Sequence, residues 1–556
     1  MGGIIMNKSH LLVAMLTTFG VVGTLSHAAQ QEPGQPVKTQ LELKDGWYYV
    51  NGQKFFVNAL GYEIGARPGQ NPYVKRDSEP ERVKQDMKVI KEAGFNAIRT
   101  WSELSEEELK VVQDSGLKIV FGIGIKPEQD FADPAIVDEY MAIVKKVLAY
   151  SKNYDCIITY LIMNEPMPEH IRNVGAQATV DLWTTIRDYI HQEHPGIPVT
   201  ISGNSAITEF VDMNVFDVYA YNAYDYDGFN YTHGFANASR ILPEMNKQGK
   251  PLMLTEFGLS VSRQAGESRY GGNTLIEQME ILPWYYRELL DAGATGACPF
   301  YYADGWWKGS EPAKHNDTSE EWFGFWGYRD GEDTVGYPRP VWHAMKEYNS
   351  ALVSSPKNQM FYKNEIPLEM FLQPEVKSVR VIYQDGIVYS QSDLTNNYLK
   401  DSISFAGEGL SDRELIFEFY DENQKLLKLE GIIVLTSDQE VEWPKLTITT
   451  PLKDLEENPQ VTLEVQLENG SVFTLSDEVR YLISTHVGWS RGEQRRWAVN
   501  PALPSQTMTD RYVYPAESPL LGLYAGTEIS YGKFKKIIHD EHLIYRGTWA
   551  DPIRVK

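Results

Sequence analysis

Cysteine is rare in this chain, and several motifs that mark common classes of protein are missing. Cysteine occurs only twice, at Cys156 and Cys298, which excludes a disulfide framework. Both cysteines lie in or beside apolar runs, so we expect two buried thiols, with a single bridge as the alternative. The chain has no Gly-x-Gly-x-x-Gly after its first predicted strand, no Gly-x-Ser-x-Gly elbow within its predicted barrel and no His-x-x-x-His motif. We therefore expect no dinucleotide site, no serine nucleophile, no metal and no cofactor.

Positive charge is also scarce. The chain has 52 lysines and arginines against 76 aspartates and glutamates, which gives a formal net charge of −24. A surface of this charge repels nucleic acid and anionic lipid. The composition therefore favours neutral partner molecules, and we expect no nucleic-acid partner.

One apolar run near the start of the sequence bears on location. It extends from Leu11 to Leu25, follows Lys8, and is shorter than the roughly 20 residues that span a bilayer. Ser26-His27-Ala28 then supplies small residues at the spacing that signal peptidase reads. We predict a signal peptide over residues 1–28, cleaved after Ala28 or Ala29, and a periplasmic or extracellular protein without membrane insertion. A membrane anchor is the alternative.

Short apolar runs alternate with helical patterns from about residue 45 to residue 350. This alternation is typical of β-α units around a parallel sheet. Eight such units over about 300 residues favour a closed (β/α)8 barrel, for which we assign residues 40–352. The predicted strands are Lys54–Gly61, Ala97–Trp101, Lys118–Ile125, Ile157–Asn164, Pro198–Gly203, Val215–Asn222, Leu252–Phe257 and Gly296–Tyr301.

The pattern changes to period-two alternation after about Ala351. Val381-Ile382-Tyr383 leads into Asp385-Gly386, and residues 461–465 lead into Asn469-Gly470, which are hairpin signals. We predict a β-sandwich, perhaps immunoglobulin-like, over residues 358–480, with the boundary in the stretch 354–358. Residues 481–556 are predicted to form a further β-rich module or a strap packed on the barrel.

Two carboxylates stand where a barrel places reactive groups, at the carboxyl ends of its strands. Asn164-Glu165-Pro166 ends the fourth predicted strand, and Thr255-Glu256-Phe257-Gly258 ends the seventh. Glycosidic cleavage needs such a pair, because one carboxyl group protonates the leaving oxygen and the other attacks or activates water. The alternative roles are a helix-terminal carboxylate for Glu165 and a surface acid for Glu256.

These two motifs resemble those of the clan A glycoside hydrolases. The segments 45–61 and 94–101 are similar to the barrel domains of families 2 and 5, so the resemblance covers roughly residues 45 to 350. It implies that Glu165 is the general acid/base and Glu256 the nucleophile of a retaining enzyme. In such enzymes the two carboxyl groups lie roughly 5–5.5 Å apart.

Further residues are candidates for binding an oligosaccharide or polysaccharide substrate. Asn164 is expected to bind the sugar 2-hydroxyl, with a helix cap as its alternative role. Arg99 needs an anionic partner, for which Glu256 is the candidate and Glu63 the alternative. The remaining candidates are Trp101, Tyr224 with Tyr221 as its alternate, and Trp306 or Trp307 as an aromatic floor.

Three functions compete for this set of residues. The first is hydrolysis of a β-linked neutral glycan, perhaps a β-glucan. The second is transglycosylation, which uses the same two glutamates but passes the glycosyl group to a sugar. The third is a non-catalytic carbohydrate-binding or envelope protein, against which the presence of both Glu165 and Glu256 argues.

Overall fold

A computed structural model describes most of the chain between residues 39 and 475. The described residues are 39–438, without 65–66, 75–76, 167, 205–212, 225–248, 264–270, 292, 310, 358–359, 364 and 406–410, together with 445–446, 463–466 and 472–475. The predicted signal peptide over 1–28 and the predicted module over 481–556 lie outside the described residues and stay predictions. Among the described residues, no helix has the length and apolar character needed to cross a membrane.

The described chain begins with a small antiparallel sheet that the sequence analysis missed. Its strands are β1 (Leu41–Lys44), β2 (Trp47–Val50) and β3 (Gln53–Phe55). Asp45-Gly46 and Asn51-Gly52 join them, and all four residues have positive φ, as two-residue hairpin turns require. Tyr48 of this sheet packs among the first residues of the barrel strands and hydrogen-bonds Thr159 at 2.7 Å. The sheet therefore closes the amino-terminal end of the barrel.

Eight parallel strands form a closed barrel, which confirms the predicted (β/α)8 fold. The predicted first strand was too long, because Lys54 and Phe55 belong to β3. Predicted ends at Trp101, Ile125 and Tyr301 lie beyond the observed strands, and 213–215 is a 3₁₀ turn. The strands are β4 (Val57–Gly61), β5 (Ala97–Arg99), β6 (Lys118–Gly122), β7 (Ile157–Asn164), β8 (Val199–Asn204), β9 (Tyr219–Asn222), β10 (Leu252–Phe257) and β11 (Gly296–Pro299).

Amphipathic helices surround the barrel. The apolar face of the first helix, with Val83, Met87 and Ile90, is fully buried. The second helix begins at a capping box between Ser105 and Glu108, and it ends where Gly116 adopts the left-handed conformation. The helices are α1 (Pro80–Glu92), α2 (Glu106–Ser115), α3 (Pro134–Ser151), α4 (Pro168–Val174), α5 (Ala176–Glu193), α6 (Leu275–Asp291) and α7 (Pro340–Asn349).

A long segment follows β11 and ends at α7. It contains the 3₁₀ turns Trp306–Lys308 and Ser319–Glu321, and a short antiparallel pair formed by β12 (Trp326–Gly327) and β13 (Tyr337–Pro338). Because it starts at the carboxyl end of a barrel strand, this segment lies at the end where barrel enzymes hold their reactive groups.

Two further sheets follow the barrel and enclose their own core. One has three antiparallel strands in the order β14-β16-β19, and the other has five strands in the order β15-β21-β20-β17-β18, in which β15 pairs with β21 in parallel. Apolar residues of both sheets pack together. The strands are β14 (Ala351–Ser355), β15 (Met360–Lys363), β16 (Glu365–Leu372), β17 (Ser378–Tyr383), β18 (Gly386–Gln391), β19 (Tyr398–Ser404), β20 (Ser411–Tyr420) and β21 (Leu426–Ser437).

Both predicted hairpins are present. Tyr383 pairs with Gly386, so the turn consists of Gln384 and Asp385, both with positive φ, and lies one residue earlier than the Asp385-Gly386 signal. Strands β23 (Leu463–Gln466) and β24 (Val472–Leu475) form the second hairpin, and β22 (Lys445–Leu446) pairs with β23. Asn469-Gly470 lies outside the described residues.

Buried charges join the barrel to the sandwich. Arg287 of α6 lies 3.3 Å from Glu430 of β21 and donates to the carbonyl oxygen of Val353 at 2.8 Å. Lys428 lies 2.9 Å from Glu430, and all three charged side chains are at most 1% exposed. The predicted boundary stretch begins within β14, a strand of the sandwich, so the chain passes from α7 into the second core without a linker. The two cysteines are free and buried, as expected from their apolar surroundings.

Candidate active site

Glu256 lies one residue before the end of β10 and is held by three donors from two other parts of the chain. Arg99 lies 3.0 Å from its Oε1, and the indole of Trp101 donates to the same oxygen at 2.7 Å. The hydroxyl of Tyr224 donates to Oε2 at 2.8 Å. Three donors, one of them a cation, fix the orientation of the carboxyl group. Glu256 is 5% exposed, so this group is available only to a molecule that enters the pocket.

Arg99 lies beneath the pocket and connects several strand ends. Besides Glu256, it donates to Asn164 at 2.6 Å and to Ser202 at 3.0 Å, and its guanidinium lies 3.7 Å from the centre of the Trp101 ring. The predicted pairing with Glu256 is thus present. Glu63, the alternative partner, instead accepts hydrogen bonds from two aromatic side chains.

Asn164 is held in one orientation by the same network. Its Oδ1 accepts from Arg99 and, at 3.4 Å, from the amide nitrogen of Asn222. Thr255 fixes Asn222 in turn, by donating to its Oδ1 at 2.9 Å. The amide nitrogen of Asn164 is therefore the end that can donate to a ligand, since the oxygen is engaged.

Glu165 faces the same pocket in different surroundings. It directly follows β7 and has a positive φ of 46°, a conformation that is uncommon for a residue with a side chain. Burial, and after it the nearby Glu256 carboxylate, raises the pKa of Glu165 from 4.5 to about 7, although a hydrogen bond from Asn222 lowers it. A carboxyl group with this pKa can give up and take back a proton near neutral pH.

Aromatic rings and a third and fourth carboxylate complete the pocket. Besides the two glutamates and Asn164, the pocket is lined by Glu63, Tyr73, Trp101, Tyr224, Phe300, Lys308, Glu320 and Phe323. A groove of about 900 Å³ adjoins it and shares Glu63, Tyr73, Trp101, Asn164 and Glu165 with it. The reacting centre is therefore open toward the loops that follow β4 to β7.

The predicted aromatic floor needs correction. Trp306 is 3% exposed and stacks on His315 with 4.7 Å between the ring centres, so it packs inside the loop after β11 and does not line the pocket. Trp307 is not among the residues that line the pocket, and its indole donates to Glu63 at 3.1 Å. Tyr221, the alternate to Tyr224, is fully buried in the barrel core. Trp101 and Tyr224 do line the pocket, as predicted.

Several pocket residues were missed by sequence reasoning. Glu63 comes two residues after β4, so the strand-end rule that identified Glu165 and Glu256 could also have found it. Phe300 directly follows β11 by the same rule. Lys308 and Phe323 lie within the long loop, where no periodicity fixes the direction of a side chain, and only the structure identifies them.

Comparison with known proteins gives one family model and several solved structures. The model, described as Glucanosyltransferase and numbered as glycoside hydrolase family 72, matches residues 34–270, which is less than half of the chain. No curated protein matches. Together with the closed eight-stranded barrel, the family model supports an enzyme of the glycoside hydrolase type that acts on carbohydrate.

The solved structures are β-glucuronidases of low sequence identity. That of Parabacteroides merdae is 14% identical, with a TM-score of 0.46, and the match covers 78% of this chain and 56% of that one. That of Bacteroides uniformis is 14% identical, with a TM-score of 0.45 and coverage of 72% and 48%. That of Dictyoglomus thermophilum is 17% identical, with a TM-score of 0.45 and coverage of 56% and 53%. The matches span about half the length of these proteins.

Proposed function

We propose that this chain is a retaining glycoside hydrolase that cleaves a neutral β-linked glycan, with Glu256 as nucleophile and Glu165 as general acid/base. One observation carries the proposal: two carboxyl groups line a single pocket in opposite electrostatic surroundings. Glu256 receives three donors, one of them cationic, whereas burial and the neighbouring carboxylate raise the pKa of Glu165 to about 7. Pairs of this kind divide acid and nucleophile roles between two chemically identical side chains.

In the first step, an oxygen of Glu256 attacks the anomeric carbon while the glycosidic bond breaks. The electron pair of that bond goes to the leaving oxygen, which takes the proton of Glu165. The products are a glycosyl ester on Glu256 and a free alcohol. The amide nitrogen of Asn164 can donate to the sugar 2-hydroxyl, a hydrogen bond that strengthens in the transition state.

In the second step, Glu165 removes a proton from water, and the water oxygen displaces Glu256 from the anomeric carbon. Esterification removes the negative charge of Glu256, which is one of the causes that raise the pKa of Glu165. The pKa of Glu165 therefore falls once the ester has formed, and its carboxylate can act as a base. Two displacements at one carbon retain its configuration.

The substrate class rests on charge and on the family model. A net charge of −24 favours a neutral glycan, and the glucanosyltransferase model favours a β-glucan. The apolar run from Leu11 to Leu25 supports export, so we place this activity in the periplasm or outside the cell.

The two roles can be tested because acid/base and nucleophile fail differently. Glu256→Ala should lose at least about 10⁴-fold of activity on every substrate, since no glycosyl ester can form. Glu165→Ala should keep its first step on aryl β-glycosides whose phenol is acidic and needs no proton. Added azide should then speed turnover and give a β-glycosyl azide, identified by NMR. An α-glycosyl azide from Glu165→Ala would reverse the two assignments.

A second candidate is transglycosylation, which the family model specifically favours. It differs only in the acceptor, because Glu165 would remove a proton from a sugar hydroxyl instead of water. Product analysis of a β-glucan oligosaccharide at rising concentration separates the two: transfer yields chains longer than the starting material, and hydrolysis yields only shorter ones.

A further inference from the structure

A third carboxylate in the pocket has no part in the two chemical steps. Glu63 follows β4, is 9% exposed and lines the pocket together with Glu165 and Glu256. It also lines the adjoining groove. Burying a carboxylate costs desolvation energy, which hydrogen-bond donors from the protein or from a ligand offset.

Hydrogen bonds from two aromatic side chains fix the orientation of Glu63. The hydroxyl of Tyr73 donates to Oε1 at 3.3 Å, and the indole of Trp307 donates to Oε2 at 3.1 Å. An ionised carboxylate accepts through about four lone-pair sites and donates nothing. One donor on each oxygen therefore leaves an acceptor site on each, which matches two hydroxyl groups of one sugar.

The nearby cations are already engaged. Arg99 pairs with Glu256, while Lys308 lies 3.5 Å from Glu320 and 4.6 Å from the centre of the Phe300 ring. A carboxylate, sulfate or phosphate on the sugar would therefore enter a pocket that is lined by four glutamates and by Lys308. Like charges at such separations repel, and a hydroxyl group does not.

We propose that Glu63 selects the charge of the sugar: it accepts hydrogen bonds from hydroxyl groups of a neutral glycosyl unit and excludes units that carry an anionic group. This inference rests on the proposed function, because it assumes that a glycosyl unit occupies the pocket. Glu63 is a specificity-determining residue in this scheme and takes no part in bond breaking.

The test compares 4-nitrophenyl β-glucoside with 4-nitrophenyl β-glucuronide, which differ in an alcohol or a carboxylate at one carbon. The variants are Glu63→Gln and, as a control of equal charge change, Glu332→Gln, at an exposed position between β12 and β13 and outside the pocket lining. The amide in Glu63→Gln can still accept from Trp307 and donate to the Tyr73 hydroxyl, so the pocket keeps its shape. We expect wild type to prefer the glucoside in kcat/KM, and Glu63→Gln to narrow that preference at least about tenfold, while Glu332→Gln changes it less than about threefold.

Dissociation constants of the same two glycosides can be measured by calorimetry even if turnover is slow. We expect tighter binding of the glucoside than of the glucuronide, with the same effect of each variant on this preference. The inference is overturned if wild type prefers the glucuronide, or if the two variants change the preference equally. Turnover of the glucoside that survives Glu256→Ala would instead contradict the proposed function. The binding comparison would still decide the role of Glu63 in that case.

Discussion

Glu165 and Glu256 are the same residue type in contrasting surroundings, and this contrast supports the two different roles that we propose for them. Glu256 accepts hydrogen bonds from Trp101 and Tyr224 and lies 3.0 Å from Arg99. Glu165 lies near a negative charge and is buried, so its neutral form is favoured and its pKa rises to about 7. Neither position would serve the other role without a rearrangement of these neighbours.

The raised pKa of Glu165 predicts the alkaline limb of the pH profile. The first step needs the protonated form, which is populated below about pH 7 and lost as the pH rises through that value. We expect kcat/KM on a natural glycan to fall about tenfold for each pH unit above the pKa. An aryl glycoside with an acidic phenol should show a weaker fall, because its departure needs no proton. An equally steep fall of kcat/KM with rising pH for both substrates would argue against Glu165 as the acid.

The loop between β11 and α7 is the element that shapes one side of the pocket. His315 stacks between Trp306 and Trp322, with ring centres 4.7 and 3.6 Å apart. A buried pair between Asp304 and Arg339 joins the start of the loop to its end. The same loop supplies Lys308, Glu320 and Phe323 to the pocket. Its aromatic residues thus act on the substrate mainly by holding the loop.

His315→Ala removes the middle ring of this stack and should loosen the pocket wall. We expect KM to rise about threefold to tenfold, with a loss of about 1–2 kcal/mol in the free energy of unfolding. Burial lowers the pKa of His315 to about 4, so it is neutral near pH 7 and the loss reflects packing and not charge. His343→Ala, at an exposed position of α7, is the matched control. An unchanged KM with reduced stability would show that the loop does not shape the site.

The barrel and the sandwich behave as one folding unit in the part of the chain that the structure describes. Arg287 is 1% exposed and, besides Asp291 on its own helix at 2.7 Å, contacts Glu430 of the sandwich and the carbonyl oxygen of Val353. Lys54 and Glu369 form a second ion pair across the two parts at 2.7 Å. Every lining residue of the pocket, however, belongs to the segment before residue 324. The sandwich therefore supports the barrel without contributing to the lining.

Glu430→Ala leaves Arg287 and Lys428 buried without their shared partner. Removing one member of a buried charge network costs about 3–5 kcal/mol, so we expect a loss of that size in denaturant unfolding. Activity measured well below the unfolding transition should be unchanged, since Glu430 lies outside the pocket lining. Glu365→Ala, at an exposed position of β16, should change stability by less than about 0.5 kcal/mol. A loss of activity in the folded variant would contradict a purely supporting role.

The amino-acid sequence determined the barrel and the location of the reacting pair. Each barrel strand is a short apolar run, and a closed parallel sheet brings all strand ends to one face. Asn164-Glu165 and Thr255-Glu256 could therefore be assigned to one site although 89 residues lie between the two motifs. The hairpin signal at Asp385-Gly386 could be recognised because two-residue turns favour particular residues, such as Asn or Asp followed by Gly. Asn51-Gly52 is a hairpin signal of the same kind, and β1 to β3 could have been predicted from it.

The tertiary structure alone decided which side chains meet in the pocket. Arg99 could have paired with Glu63 or Glu256, and the strand ends bring it to Glu256 at 3.0 Å. Trp306 and Trp307 are adjacent in sequence, yet one packs on His315 and the other holds Glu63. No periodicity governs an irregular loop, so its side-chain directions follow from long-range packing. Local sequence patterns fix the strands and their ends, whereas contacts between distant segments fix the partners of each charge.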